Sequence, residues 1–191
     1  GHDLEPVVPE LGLPEDAAIR FIFPHAPNLP VTINGGMSMP AWYDIKAMDI
    51  DRVVDTEQLR ASADAVARLV EREKEKGVPA NRIIIAGFSQ GGAVAYELGL
   101  SFPERFAGIL ALSTYFATAK TVQRSEANAD VPINVYHGPF DPMVPESLGV
   151  RSVETLREMG YDPAYQTYPM EHSVCLEEIQ DIGRFIRRHL L

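Results

Sequence analysis

The segment Gly87-Phe88-Ser89-Gln90-Gly91-Gly92 directly follows the mainly apolar run Arg82-Ile83-Ile84-Ile85-Ala86 and leads straight into Ala93-Val94-Ala95. A short apolar run of this kind reads as a strand covered on both faces, and the small apolar stretch after it reads as a buried helix. A serine is thereby placed on a tight strand-to-helix turn, the context of a nucleophile elbow. In such a turn the backbone is strained, and residues two positions to either side are expected to be small; Gly87 and Gly91 meet that requirement. The turn also sets Ser89 at a helix N-terminus and leaves the Gln90 backbone N–H as a candidate oxyanion donor.

The rest of the chain repeats the alternation of short β-rich runs with longer helical ones, the pattern of a parallel sheet with crossover helices. Strands are expected at Ile19–Phe23, Arg82–Phe88, Phe106–Leu112, Ile133–His137 and Tyr165–Tyr168. Helices are expected at Thr56–Lys76, Gly91–Ser101, Glu146–Met159 and Leu176–Leu190. The first helix carries Leu59, Ala63, Val66, Leu69 and Val70 at three-and-four spacing. The last carries Ile179, Ile182, Phe185, Ile186 and Leu190 on one stripe, with Arg184, Arg187, Arg188 and His189 near its C-terminus. Pro24–Asp55 shows neither period and is expected to be one long ordered loop. Met37, Met39, Trp42 and Met48 give it an apolar, adaptable surface suited to covering a substrate. No repeat or linker breaks the 191 residues, so a single domain 1–191 is expected.

A serine hydroxyl needs a base, and the base needs an acid to fix its tautomer and stabilise its cation. The chain has five histidines: His2, His25, His137, His172 and His189. His2 and His25 precede the serine, His137 ends an inward strand and His189 sits in a cationic helix end. His172 lies in a short loop between the last strand and the last helix, where a side chain reaches the carboxyl edge of the sheet. The acid is expected at Asp141, in the proline-fixed loop Gly138–Pro145 after the strand Ile133–His137, with Glu171 and Asp162 as less well placed rivals. The order serine, acid, histidine belongs to one fold class. Cys175 lacks an elbow context and is expected to be a small buried apolar residue rather than a nucleophile.

Composition narrows the partners. A net charge of −10 leaves no broad basic face for nucleic acid. No apolar run approaches the roughly 20 residues of a membrane-spanning helix. No histidine pair or acidic loop has metal-site spacing, so neither metal nor other cofactor is expected. The single cysteine fits a reducing cytosol, and a cytoplasmic location is expected.

With these residues in place, the chain resembles the phospholipase/carboxylesterase family of small α/β-hydrolases, which includes acyl-protein thioesterases. The resemblance rests on Phe23-Pro24-His25-Ala26-Pro27, Met39-Pro40-Ala41-Trp42-Tyr43-Asp44-Ile45, the stretch from Asn81 to Ala93, Leu110-Ala111-Leu112-Ser113, His137-Gly138, Asp141-Pro142-Met143-Val144-Pro145 and His172-Ser173. It implies an α/β-hydrolase fold and a triad of Ser89, Asp141 and His172. It also implies an acyl groove bordered by Tyr115, Met143, Val144 and the Met37-to-Trp42 segment, including Met39. Relatives begin with one or two strands and a His-Gly-Leu-Gly loop that supplies the other oxyanion amide. That front end has no counterpart here, so the expectation is a shortened form of a longer enzyme, lacking a central strand and one oxyanion donor. Losing one donor typically costs about 10² to 10³ in turnover.

The function expected is therefore hydrolysis of carboxyl esters with small to medium apolar acyl groups. Acyl-protein thioesterase or lysophospholipase activity is the alternative within enzymes, and a catalytically silent binding module is the alternative outside them. A docking role for Pro24–Asp55 leaves the order of the three residues unexplained; the apolar surface of the same segment is expected to allow two copies of the enzyme to pair as a homodimer.

Overall fold

The computed structural model describes residues 2–48 and 52–191. After a 3₁₀ helix over His2–Leu11 come two small antiparallel hairpins. The first pairs β1 (Asn28–Val31) with β2 (Met37–Pro40), and the second pairs β3 (Ile45–Ala47) with β4 (Val53–Val54). Then follow α1 (Thr56–Glu75), β5 (Ile84–Phe88), α2 (Gln90–Ser101), β6 (Gly108–Leu112), β7 (Ile133–His137), α3 (Glu146–Glu158), β8 (Ala164–Thr167) and α4 (Leu176–Leu190). The strands β5 to β8 form a parallel sheet in sequence order, as successive strand–crossover–strand units require.

Strand β6 shows how the two faces are built. Ile109 and Ala111 join the core that holds Leu59 of α1 and Val94 and Leu98 of α2, whereas Leu110 and Leu112 pack with Ile179, Ile182, Phe185 and Ile186 of α4. Alternate residues of one strand thus serve opposite helix layers, which is why the strand reads as uninterrupted apolar sequence. Each fully buried leucine or isoleucine contributes about 1.5–3 kcal/mol. Asp55 caps α1 by accepting from the Gln58 N–H at 3.0 Å, which fixes the helix start.

Two expectations are corrected. Ile19–Phe23 forms no strand ladder among the described residues. It packs Ile19 and Phe21 against the cluster that includes Ile84 and Phe88, so apolar burial and not pairing produced its strand-like composition. Pro24–Asp55 is not one irregular loop, since both hairpins lie within it. Gly35 and Gly36, at φ of 68° and 77°, help turn the chain between β1 and β2. Asp49 to Asp51 of this segment lie outside the described residues. No helix among the described residues is long and apolar enough to cross a membrane.

Candidate active site

Ser89 sits between β5 and α2 at φ 56° and ψ −121°, a strained conformation for a residue with a Cβ. The surroundings hold it there: the Ser89 N–H donates to Leu112 O at 2.9 Å, and the Thr114 hydroxyl donates to Ser89 O at 2.5 Å. The sharpness of the turn depends on Gly87, where an added Cβ would lie 2.0 Å from Gly91 O. Gly91 does not mirror it. A Cβ there would meet only Trp42 Nε1 at 3.7 Å, so smallness is needed on one flank of the serine and not on both. The third glycine, Gly92, is the other tight position, with Thr114 Cγ2 2.3 Å from where its Cβ would lie.

His172 and Asp141 are brought to this serine by the loops after β8 and β7. His172 Nε2 lies 3.1 Å from Ser89 Oγ, and His172 Nδ1 lies 2.7 Å from Asp141 Oδ2. Asp141 has a fully buried side chain whose other oxygen, Oδ1, accepts from the Met143 N–H at 2.9 Å and the Val144 N–H at 2.8 Å. Three donors thus fix the carboxylate, and Asp141 holds the Nδ1 proton that leaves Nε2 free to accept from a hydroxyl. The Phe88 ring, at the end of β5, packs on the imidazole with centroids 4.7 Å apart. As the first residue of α2, Gln90 has a backbone N–H with no intrahelical acceptor. The rivals are not used in this way: Cys175 is half-buried with the α4 cluster, and neither Glu171 nor Asp162 bonds to His172.

The residues expected to border a groove divide by burial. Met37, Met39 and Met143 are exposed, and Trp42 is half-buried beside the elbow. Tyr115 and Val144 are buried and pack with Leu148, and the Tyr115 hydroxyl pairs with that of Tyr43 at 2.8 Å. Burial pushes both tyrosine hydroxyls above their ordinary pKa, so this pair stays protonated. Arg52 is a cation that sequence patterning did not single out. It donates to Met143 O and lies 5.2 Å from the centre of the Tyr115 ring, joining the second hairpin to the loop of Asp141. Gln90 contributes its side chain as well as its backbone, with Oε1 accepting from the Trp42 N–H and Nε2 donating to Tyr43 O, each at 2.9 Å. Neither residue carries a local signal, because each acts through partners distant in sequence. Among the described residues, no group of three or more histidine, cysteine, aspartate or glutamate side chains could hold a metal ion.

A parallel sheet with a serine on a strand-to-helix turn, and with histidine and aspartate on following loops, defines the α/β-hydrolase class. Its relatives make the placement narrower. The sequence pattern of the phospholipase/carboxylesterase family matches residues 14–190, and the chain belongs to that family. Acyl-protein thioesterase 1 of Gibberella zeae is 40% identical over 182 residues, which make up 90% of this chain and 77% of that protein. The protein of the same name from Neurospora crassa is 42% identical over 182 residues, 90% of this chain and 74% of that one. The crystal structure of Arabidopsis thaliana SOBER1 superposes with a TM-score of 0.91 at 27% identity, covering 100% of this chain and 93% of that one. Acyl-protein thioesterase 2 of Zea mays superposes with a TM-score of 0.87, also at 27% identity, covering 100% of this chain and 89% of that one. The protein is a serine hydrolase acting on acyl esters.

Proposed function

We propose that the protein hydrolyses carboxyl esters of small to medium apolar acyl groups through an acyl-enzyme on Ser89. The observation that carries this reading is the unbroken relay from Ser89 Oγ through His172 to Asp141, at 3.1 Å and 2.7 Å. Ser89 Oγ attacks the acyl carbon as its proton passes to His172 Nε2. The Gln90 backbone N–H donates to the oxygen that becomes negative, and Asp141 stabilises the imidazolium. When the bond from the acyl carbon to the leaving oxygen breaks, His172 returns the proton to the departing alcohol. Water then attacks the acyl-enzyme, its proton goes to His172, and the acid leaves as Ser89 regains its hydrogen. The exposed Met37, Met39 and Met143, the half-buried Trp42 and the buried Tyr115 and Val144 are the side chains proposed to offer the apolar contact that an acyl chain requires.

A second reading, hydrolysis of acyl-protein thioesters, draws support from the names of the relatives at 40% and 42% identity. The same residues serve either leaving atom. Hydrolysis of short-chain p-nitrophenyl esters by the protein and by Ser89→Ala tests the first reading. Turnover that survives in the variant removes Ser89 from the mechanism, whereas loss of turnover together with loss of fluorophosphonate labelling supports it. An ester and a thioester carrying the same acyl chain then separate the two substrate classes.

A further inference from the structure

His137 occupies a place that neither the relay nor the core accounts for. It is the last residue of β7 and is fully buried. Its Nε2 lies 2.8 Å from Val144 O and 3.8 Å from Asp141 Oδ2. Both neighbours are acceptors, so Nε2 carries a proton and donates it to Val144 O. Nδ1 is buried with no hydrogen-bond partner and faces Gly149 of α3, where an added Cβ would come within 2.6 Å of it. The ring is thereby fixed in one tautomer and one orientation.

Val144 is consequently gripped from both sides. Its C=O accepts from His137, while its N–H donates to Asp141 Oδ1 at 2.8 Å. The His137 main chain meets the other loop of the site, for His137 O accepts from the Tyr168 N–H at 3.1 Å at the start of the segment leading to His172. The two loops meet again where the Phe140 N–H donates to Met170 O at 3.3 Å. One residue at the end of one strand therefore touches the segments that carry both Asp141 and His172.

We infer that His137 is a positioning residue: by donating to Val144 O it closes the loop around Asp141 and holds that carboxylate in line with His172. This rests on the reading of Ser89, Asp141 and His172 given above. Among the described residues, the titratable groups in contact with the His137–His172 pair are Asp141, between the two rings, and the Ser89 hydroxyl. If the loop loosens, Asp141 drifts from His172 Nδ1 and the imidazolium loses stabilisation. The acidic limb of the activity profile then moves to lower pH while turnover falls. A residue that merely fills space would change stability and leave that limb in place.

The test compares His137→Phe, which keeps the shape without the donor, with His137→Gln, whose amide nitrogen takes roughly the place of Nε2. Gly149→Ala is a third variant that pushes the ring from outside. Each is assayed on p-nitrophenyl butyrate across pH, with sites counted by fluorophosphonate titration so that only folded molecules enter kcat. Expected for His137→Phe is a fall in kcat of about 10- to 100-fold with a much smaller change in KM. Its acidic limb should shift down by roughly half a pH unit or more. His137→Gln should recover most of both, and Gly149→Ala should show a smaller version of the same pair of changes. If His137→Phe yields no folded sites, Gly149→Ala decides: an unmoved acidic limb and normal kcat per site overturn the inference, as they would in His137→Phe itself. Ser89→Ala, run alongside, keeps the two readings apart. Residual turnover there sinks the triad, whereas Ser89-dependent turnover with unaltered His137 and Gly149 variants sinks the positioning role alone.

Discussion

Gln90 grips two consecutive residues of the hairpin connection, with Oε1 accepting from the Trp42 N–H and Nε2 donating to Tyr43 O, each at 2.9 Å. The residue whose amide is proposed to face the oxyanion also ties down the segment that includes Trp42. Ser62 adds a third tie by donating to Trp42 O at 2.5 Å. Gln90→Ala keeps the backbone amide and releases both peptide groups, at a cost of about 1–3 kcal/mol for partners left unsatisfied. Gln90→Glu should be at least as harmful, because a carboxylate oxygen then faces Tyr43 O. Thermal unfolding checks this: a chain of this size loses about 2–4 °C per kcal/mol, and an unchanged Tm for both variants would remove the clamp.

The three glycines around the serine should not respond alike. Gly87→Ala drives a Cβ into Gly91 O, a main-chain atom that cannot swing aside, so the turn at Ser89 must open and hydrolysis should fall by orders of magnitude. Gly92→Ala pushes on Thr114, whose hydroxyl donates to Ser89 O, and should cost about 1–3 kcal/mol. Gly91→Ala meets ordinary contact distance only and replaces a helical glycine, so stability should hold or rise by up to about 1 kcal/mol. Parallel measurement of unfolding and esterase turnover in the three variants distinguishes this order from the symmetric requirement read from sequence.

Asn128 joins segments that no pattern connects. Fully buried, it donates through Nδ2 to Phe102 O at 2.9 Å and Glu104 O at 2.8 Å, while Oδ1 accepts from the Phe106 N–H at 2.9 Å. One amide thus satisfies three main-chain groups of the turn between α2 and β6. Asn128→Asp keeps the acceptor and replaces the donor, leaving two carbonyls opposite a charge, and should destabilise by more than Asn128→Ala. Urea denaturation should give losses of about 2 kcal/mol or more for both. Equal stability of wild type and the aspartate variant would contradict the geometry.

Legibility followed the range of the interactions. The apolar stripe of α4 and the run of β7 identify their elements at their observed bounds, because one-sided or complete burial writes a period into consecutive residues. Ser89, Asp141 and His172 could be proposed together because each sits beside a local signature, a strand end or a tight turn. Strand β2 was illegible for the opposite reason. All four of its residues are exposed, so no alternation marks it, and its partner β1 contains Pro30. Ile19–Phe23 has strand-like composition without pairing, and pairing is a non-local fact. The clamp of Gln90 on residues 48 and 47 positions away, and the grip of His137 on a loop beyond its own strand, likewise exist only after folding.

Glu178 sets a pH dependence on stability that is separate from catalysis. It lies fully buried near the start of α4, where burial pushes its carboxyl up to about 7; the Cys175 amide opposes that rise and the Asp181 charge adds to it. An unfolded glutamate titrates near 4.3. Below that value both states hold the proton and Glu178 contributes no pH dependence. Between that value and about 7 the unfolded chain has released its proton while the native state retains it, so stability falls as pH rises. Above 7 the loss levels off at about 4 kcal/mol, at roughly 1.4 kcal/mol per unit of pKa difference. Glu178→Gln removes the titration and keeps the shape. Its stability relative to wild type should therefore climb from pH 5.5 to 7 and then stay level, followed by urea denaturation at each pH. A difference that does not vary with pH would show that the carboxyl is ionised in the folded protein throughout.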